Sequence, residues 1–111
     1  MQTELEIEKE KIKNEIKRFF DEIKINYKED KNHLKIEGEI FYVDILQFIE
    51  ISVRIGQDKY LTITYDIEKN TEKIILTYEE VFPKEFKKEL EIPKDKIQVI
   101  YYTNNKLIFL F

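Results

Sequence analysis

The sequence predicts an α+β domain in which a long N-terminal helix packs on a curved antiparallel β-sheet of about five to seven strands, with a short helix before a C-terminal hairpin. Three observations support this. Apolar residues recur with helical spacing at the N-terminus, most of the remaining chain alternates apolar and polar residues, and two prolines bracket a short segment before the last hairpin. At 111 residues we expect one domain spanning residues 1–111.

Residues 2–24 are predicted to form an amphipathic helix. Thr3 and Glu6 have the spacing of a capping box, which marks a helix start. The polar face carries charges of both signs, as is typical of a solvated surface. The apolar residues fall within one arc of about 100° and are Leu5, Ile12, Ile16, Phe19, Phe20 and Ile23.

Residues 41–55 are predicted to form the longest strand, because every second residue is apolar apart from Gln47. Phe41 belongs to the row that is expected to face the core. In the preceding segment, residues 34–42, the apolar residues fall on even positions instead. A change of parity requires a bulge, a bend or a missed turn, which we expect between residues 40 and 47.

The middle of the chain predicts an antiparallel meander. Residues 56–58 close a hairpin whose second strand covers residues 61–67, and a turn at residues 68–73 leads to a strand over residues 74–78. Pro83 is expected to begin the short helix, because its missing N–H costs nothing at a first helical position. Pro93 is expected to end it.

The C-terminal hairpin is predicted to join residues 97–102 to residues 107–111 through a two-residue Asn104–Asn105 loop. In that register Tyr101 opposes Ile108, and both faces of the hairpin are apolar. Two explanations remain open. Either the helices cover both faces of the sheet, or one face is an interface with a second copy of the chain.

Composition argues against several classes of protein. The chain has 19 basic and 23 acidic residues, which speaks against a dedicated nucleic-acid binder. It has no cysteine for disulfides, and no apolar run approaches the ~18 residues of a membrane span. The acidic N-terminus does not resemble a signal peptide. We therefore expect a cytoplasmic protein, located in the host cytoplasm if it is viral.

The sequence offers little chemistry. His33 and Ser52 are the only histidine and serine, and Ser52 lies in a predicted strand without the glycines of a nucleophile elbow. One histidine without cysteine argues against a zinc site. Gly38 and Gly56 are the only glycines, which is too few for a phosphate-cradling loop. We expect no catalytic residue, no metal and no cofactor.

The tyrosines are the most informative polar residues. Most of them fall on predicted strands, where sheet propensity and partial burial are the ordinary explanation. The functional interpretation is that some face outward and form an aromatic contact surface, because tyrosine is enriched at binding hot spots. The candidate partner-binding residues are Tyr42, Phe48, Tyr60 and Tyr102.

These observations favour a non-catalytic protein-binding module. A small inhibitor or adaptor of viral or mobile-element origin, such as an anti-defence protein, fits the size and composition. Its expected partner is another protein, and a homodimer through the C-terminal hairpin is a further expectation. The alternative is a small-ligand-binding protein or enzyme with a pocket between helix and sheet. A self-assembling structural subunit is the third hypothesis.

Overall fold

The computed structural model of the chain describes residues 2–43, 50–65, 73–81, 87–102 and 105–111. It confirms an α+β fold with a long N-terminal helix, α1, spanning Glu4–Glu22. The strands are β1 Lys28–Asp30, β2 His33–Glu37, β3 Glu39–Val43, β4 Glu50–Arg54, β5 Lys59–Tyr65, β6 Lys73–Glu80, β7 Lys87–Pro93, β8 Gln98–Tyr102 and β9 Lys106–Leu110.

The strands form two antiparallel sheets rather than the single curved sheet that the alternation suggested. One sheet has the order β1-β2-β9-β8, and the other is the meander β3-β4-β5-β6-β7. Gly38 is the one residue between β2 and β3, and it therefore marks the point where the chain passes from one sheet to the other. Its amide donates a hydrogen bond of 3.0 Å to the carbonyl of Asn105.

Helix α1 has capping hydrogen bonds at both ends. The Thr3 hydroxyl accepts a 3.1 Å hydrogen bond from the Glu6 amide, which satisfies a donor of the first turn. At the other end the Ile25 amide donates to the Phe20 carbonyl at 2.9 Å, while the Lys24 amide donates to Asp21 at 3.2 Å. This pair of bonds is a Schellman motif, and it places Lys24 at a φ of 60°.

One continuous core joins α1 to both sheets. The Phe20 ring meets Phe109 of β9 edge-on at a centroid distance of 5.7 Å. Leu5, predicted on the apolar arc, is instead 47% exposed, and the first turns of α1 carry no buried residue before Ile12. The core residues with 0% exposure are Ile16, Phe20, Leu34, Val53, Leu61, Ile63, Ile74, Leu76 and Phe109.

The prediction of one long strand over residues 41–55 is wrong, since β3 and β4 pair with each other in antiparallel fashion. The expected irregularity is confirmed: the register shifts between Ile40 and Tyr42. The shift leaves Phe41 54% exposed, whereas strict alternation assigned it to the core row. A single inserted residue thus exchanges the two faces of the strand.

The predicted helix after Pro83 is also wrong from residue 87 onward, while residues 82–86 lie outside the described part. Residues Lys87–Pro93 form β7, in which Leu90 pairs with Leu76 and Ile92 pairs with Ile74. Burial alternates along this segment as in a strand and not as in a helix, because Ile92 is buried while the residues on either side of it are exposed. A single 3₁₀ turn at Lys94–Lys96 precedes the C-terminal hairpin.

The C-terminal hairpin forms, but its register is one residue away from the prediction. Tyr101 pairs with Leu107 and Ile100 with Ile108, so the last paired residues of the hairpin are Tyr102 and Lys106. Asn105 takes a φ of 66°, the left-handed conformation that three-residue hairpin loops require at one position. Strand β9 lies inside its sheet and β8 at the edge, and Ile108 is half-buried on the face opposite to Phe109.

Lys13 and Lys17 of α1 bind the short β1–β2 hairpin. Lys13 is 5% exposed, and its ammonium donates to the Asp30 and Lys31 carbonyls at 2.6 and 3.2 Å. Glu29 lies 3.3 Å from the Lys13 ammonium and 3.1 Å from that of Lys17. Hydrogen bonds from Lys17 and then Lys13 lower the pKa of Glu29.

This arrangement predicts that the contribution of Glu29 to the stability of the fold depends on pH. Because its folded pKa lies below the ordinary 4.5, Glu29 stabilises the fold above pH 4.5 and loses that contribution as pH falls through the folded pKa. The Glu29→Gln variant should be less stable than wild type in urea denaturation at neutral pH, and the difference should shrink in acid. Glu15→Gln, which removes a helix carboxylate without an ion pair among the described residues, is the control. A Glu29→Gln effect that did not change with pH would refute the coupling.

Candidate functional site

Two exposed features stand out on the described surface, and the first is an aromatic patch that we define as Phe41, Arg54, Tyr60 and Val81. The rings of Phe41 and Tyr60 meet edge-on at a centroid distance of 5.3 Å. Phe41 is 54% and Val81 37% exposed, although both are large apolar side chains. Tyr60, Arg54 and Val81 also line a concavity of about 520 Å³.

The patch is assembled by the hairpin between β4 and β5. Arg54 and Tyr60 are cross-strand partners, and the bulge in β3 brings Phe41 beside Tyr60. The Val81 amide donates to the Asp58 carbonyl at 2.9 Å, which holds the end of β6 against the β4–β5 turn. The Arg54 guanidinium is exposed and donates to the Gly56 carbonyl at 3.2 Å. Aromatic residues and arginine on an exposed surface are the composition of protein-binding hot spots.

Of the predicted partner-binding residues, the structure places Tyr60 in this patch. The backbone of Tyr42 lies in β3 and that of Tyr102 in β8, in different sheets, while their side chains lie outside the described part. Phe48 lies outside the described residues. Sequence reasoning missed Phe41 because the bulge that exposes it cannot be placed from alternation alone.

The second feature is a cleft of about 620 Å³ between the two sheets. Four lysines line it: Lys24 after α1, Lys28 in β1, Lys35 in β2 and Lys59 in β5. Glu37 is the single carboxylate in the lining. We call this site the lysine cleft; its other lining residues are Ile25, Asn26, Tyr27, Ile55, Gly56 and Gln57.

The ammonium groups of the lysine cleft have no carboxylate partner among the described residues. No ion pair within 4.0 Å involves them, whereas Lys13, Lys17 and Lys88 elsewhere are all paired. Burial, followed by a hydrogen bond with Asp21, raises the pKa of the neighbouring Tyr27. Its hydroxyl therefore stays protonated at neutral pH.

The residues considered for catalysis lie apart. His33 is in β2 of the four-stranded sheet, with its Nε2 atom 4.0 Å from an Asp30 carboxylate oxygen. Ser52 is in β4 of the other sheet, where its hydroxyl lies 3.3 Å from that of Thr62 and donates to Glu50 at 3.4 Å. The only buried polar or charged side chains in the described part are those of Lys13 and Ser52.

Within the described residues, no three histidine, cysteine or acidic side chains gather as a metal would require. The same part of the chain contains no helix that is long and apolar enough to cross a membrane. The chain matches no protein-family model, and comparisons with curated proteins and with solved structures return no significant similarity.

Proposed function

We propose that the chain is a non-catalytic protein-binding module, acting as a small inhibitor or adaptor, and that its partner protein docks on the aromatic patch. The observation that carries this proposal is the exposed edge-on pair of Phe41 and Tyr60. Large rings left in water cost free energy, about 25 cal/mol per Å² of apolar area, and a partner that covers them recovers it.

The surroundings of the rings suit a protein partner. Fully desolvated hot spots combine an aromatic anchor with a polar rim, and here Arg54 and Asp58 border Tyr60 in the concavity. Phe41 and Tyr60 lie on paired strands, so little backbone entropy remains to be lost on binding. A partner that offers an apolar side chain and a carboxylate for Arg54 fits this surface.

The test compares two substitutions of equally exposed apolar residues. Phe41 and Ile7 are each 54% exposed, but Ile7 lies on the first turns of α1 and is not part of the aromatic patch. Affinity capture from the source cell with wild type, Phe41→Ala and Ile7→Ala should identify a protein retained by the first and third baits only. With that protein purified, Phe41→Ala should weaken the dissociation constant at least about tenfold, and Ile7→Ala less than about twofold.

The proposal fails if both variants bind the purified partner as tightly as wild type. It also fails if the pure chain converts a substrate and one carboxylate or tyrosine substitution abolishes that activity. Thermal denaturation of both variants provides the folding control, because truncation of an exposed side chain should change stability by less than about 0.5 kcal/mol.

A further inference from the structure

We propose that the lysine cleft is a binding site for a small molecule that carries two or more phosphate groups on an organic body, such as a nucleoside diphosphate. The site is separate from the aromatic patch, and none of the residues that define the patch lines it. Its test is therefore independent of the partner protein.

Charge is the first argument. Four lysines against one glutamate give the lining a formal charge of +3, in a chain whose total is −4, so the remaining residues sum to −7. Concave walls of one sign concentrate the field and attract ions of the opposite sign. The lining of this cleft is thus net positive in a protein that is acidic as a whole.

The second argument is that the placement of these lysines costs stability. Lys28 and Lys35 are direct cross-strand partners, and like charges at opposite positions destabilise a sheet. Lys24 occupies the left-handed conformation at the end of α1, with a φ of 60°, where glycine is the usual residue. Lys24, Lys28 and Lys35 have no ion pair within the described residues. A multiply charged anion in the cleft would neutralise their ammonium groups together.

The chemistry of the lining selects phosphate groups on an organic body. Lysine binds phosphate as a compact point charge with three donors, and no arginine lines the cleft for bidentate binding. Ile25, Tyr27 and Ile55 add an apolar wall that suits a ring. A volume of about 620 Å³ is that of a small-molecule site.

A long polyanion fits less well than a compact one. Nucleic acids bind along extended basic surfaces, since each phosphate along the strand must be neutralised. Here four of the 19 basic residues line the cleft, and the remaining residues carry a net charge of −7, which repels a continuing strand. Recognition of the phosphates would rest on ammonium groups rather than on a glycine-rich backbone loop.

Isothermal titration with ADP, adenosine, inorganic pyrophosphate and an oligothymidylate tests the proposal on the full chain. At about 50 mM salt, ADP should bind with a dissociation constant on the order of 10 to 100 μM, and binding should weaken as salt rises. Pyrophosphate should bind at least about threefold more weakly than ADP because it lacks the organic body, and adenosine should not bind.

Two double variants with the same change in charge distinguish ADP binding in the lysine cleft from general electrostatic attraction to the protein. Lys28→Gln with Lys35→Gln should weaken ADP binding at least about tenfold. Lys11→Gln with Lys94→Gln, which alters two lysines outside the cleft, should leave the dissociation constant within about twofold. Absence of ADP binding, equal losses in both double variants, or tighter binding of oligothymidylate than of ADP would each overturn the proposal.

Lys24→Gly adds a readout that a packing role would not produce. Glycine relieves the left-handed strain, so the melting temperature should rise by about 3 °C even after the entropy of the unfolded glycine is counted. ADP binding should nevertheless weaken about threefold through the lost ammonium group. A stability gain without loss of affinity would contradict the assignment of Lys24 to the site.

Discussion

Replacing Gly38 by alanine is expected to destabilise the folded protein by about 2 to 3 kcal/mol. A Cβ atom at this position would lie 2.6 Å from Val53 Cγ1 and 2.8 Å from the Arg54 carbonyl oxygen. Both distances are far inside van der Waals contact. Val53 is fully buried and Arg54 is held by β-pairing, so neither neighbour can move away cheaply.

The position of Gly38 explains why the chain cannot relax by shifting its own backbone. Its amide is bonded to the Asn105 carbonyl, which belongs to the loop between β8 and β9. Its C-terminal neighbour Glu39 already pairs with Arg54 in the other sheet. A displacement that removed the clash would therefore weaken contacts in both sheets. We expect the clash to be relieved by partial separation of the sheets, with the largest loss of hydrogen-exchange protection at the β2–β3 junction.

Gly56→Ala is the matched control. Its added Cβ would meet only the Lys59 side chain, at 3.4 Å or more, which is ordinary contact with a flexible group. Its effect on the free energy of unfolding should stay within about 0.5 kcal/mol. Urea denaturation of both variants measures the difference, and equal unfolding midpoints would show that the sheets are not in close contact at Gly38.

Periodicity predicted the parts of the fold in which a single pattern fits. The buried faces of α1, β5 and β6 follow directly from Ile16, Leu61, Ile63 and Leu76. It failed where two patterns compete. Residues near Leu90 fit both a four-residue helical repeat and a two-residue strand repeat, and pairing with Leu76 decides the outcome. That pairing is a tertiary contact, which local spacing does not contain.

The candidate surfaces were harder to predict than the fold. The sequence predicts Tyr60 as a contact residue because it is expected to face outward from its strand and tyrosine is enriched at binding hot spots. Phe41 was assigned to the core, since a bulge of one residue reverses the face without changing composition. No pattern in the sequence indicates the lysine cleft, because Lys24, Lys35 and Lys59 come from separate segments that meet only when the two sheets assemble.

Replacing Lys13 by methionine is expected to cost about 2 kcal/mol, the largest effect of any helix lysine. Methionine keeps a long, unbranched apolar side chain at this buried position, so the loss reports the ammonium group. That group donates to the Asp30 and Lys31 carbonyls and pairs with Glu29 while it is almost completely buried. Without it, the two carbonyls of the β1–β2 turn lose a charged donor that water cannot fully replace.

Lys17→Met separates the carbonyl bonds from the ion pair. Lys17 lies one turn along α1, contacts the same Glu29 at 3.1 Å and keeps 28% of its side chain exposed. Ion pairs of this exposure contribute little, so its loss should cost less than about 1 kcal/mol. A larger loss of stability for Lys13→Met than for Lys17→Met, with hydrogen exchange accelerated in β1 and β2, would establish that Lys13 holds the hairpin through the hairpin's backbone carbonyls. Equal costs would assign the coupling to the Glu29 carboxylate instead. Because β1 carries Lys28, the first result would also make the geometry of the lysine cleft depend on a residue outside it.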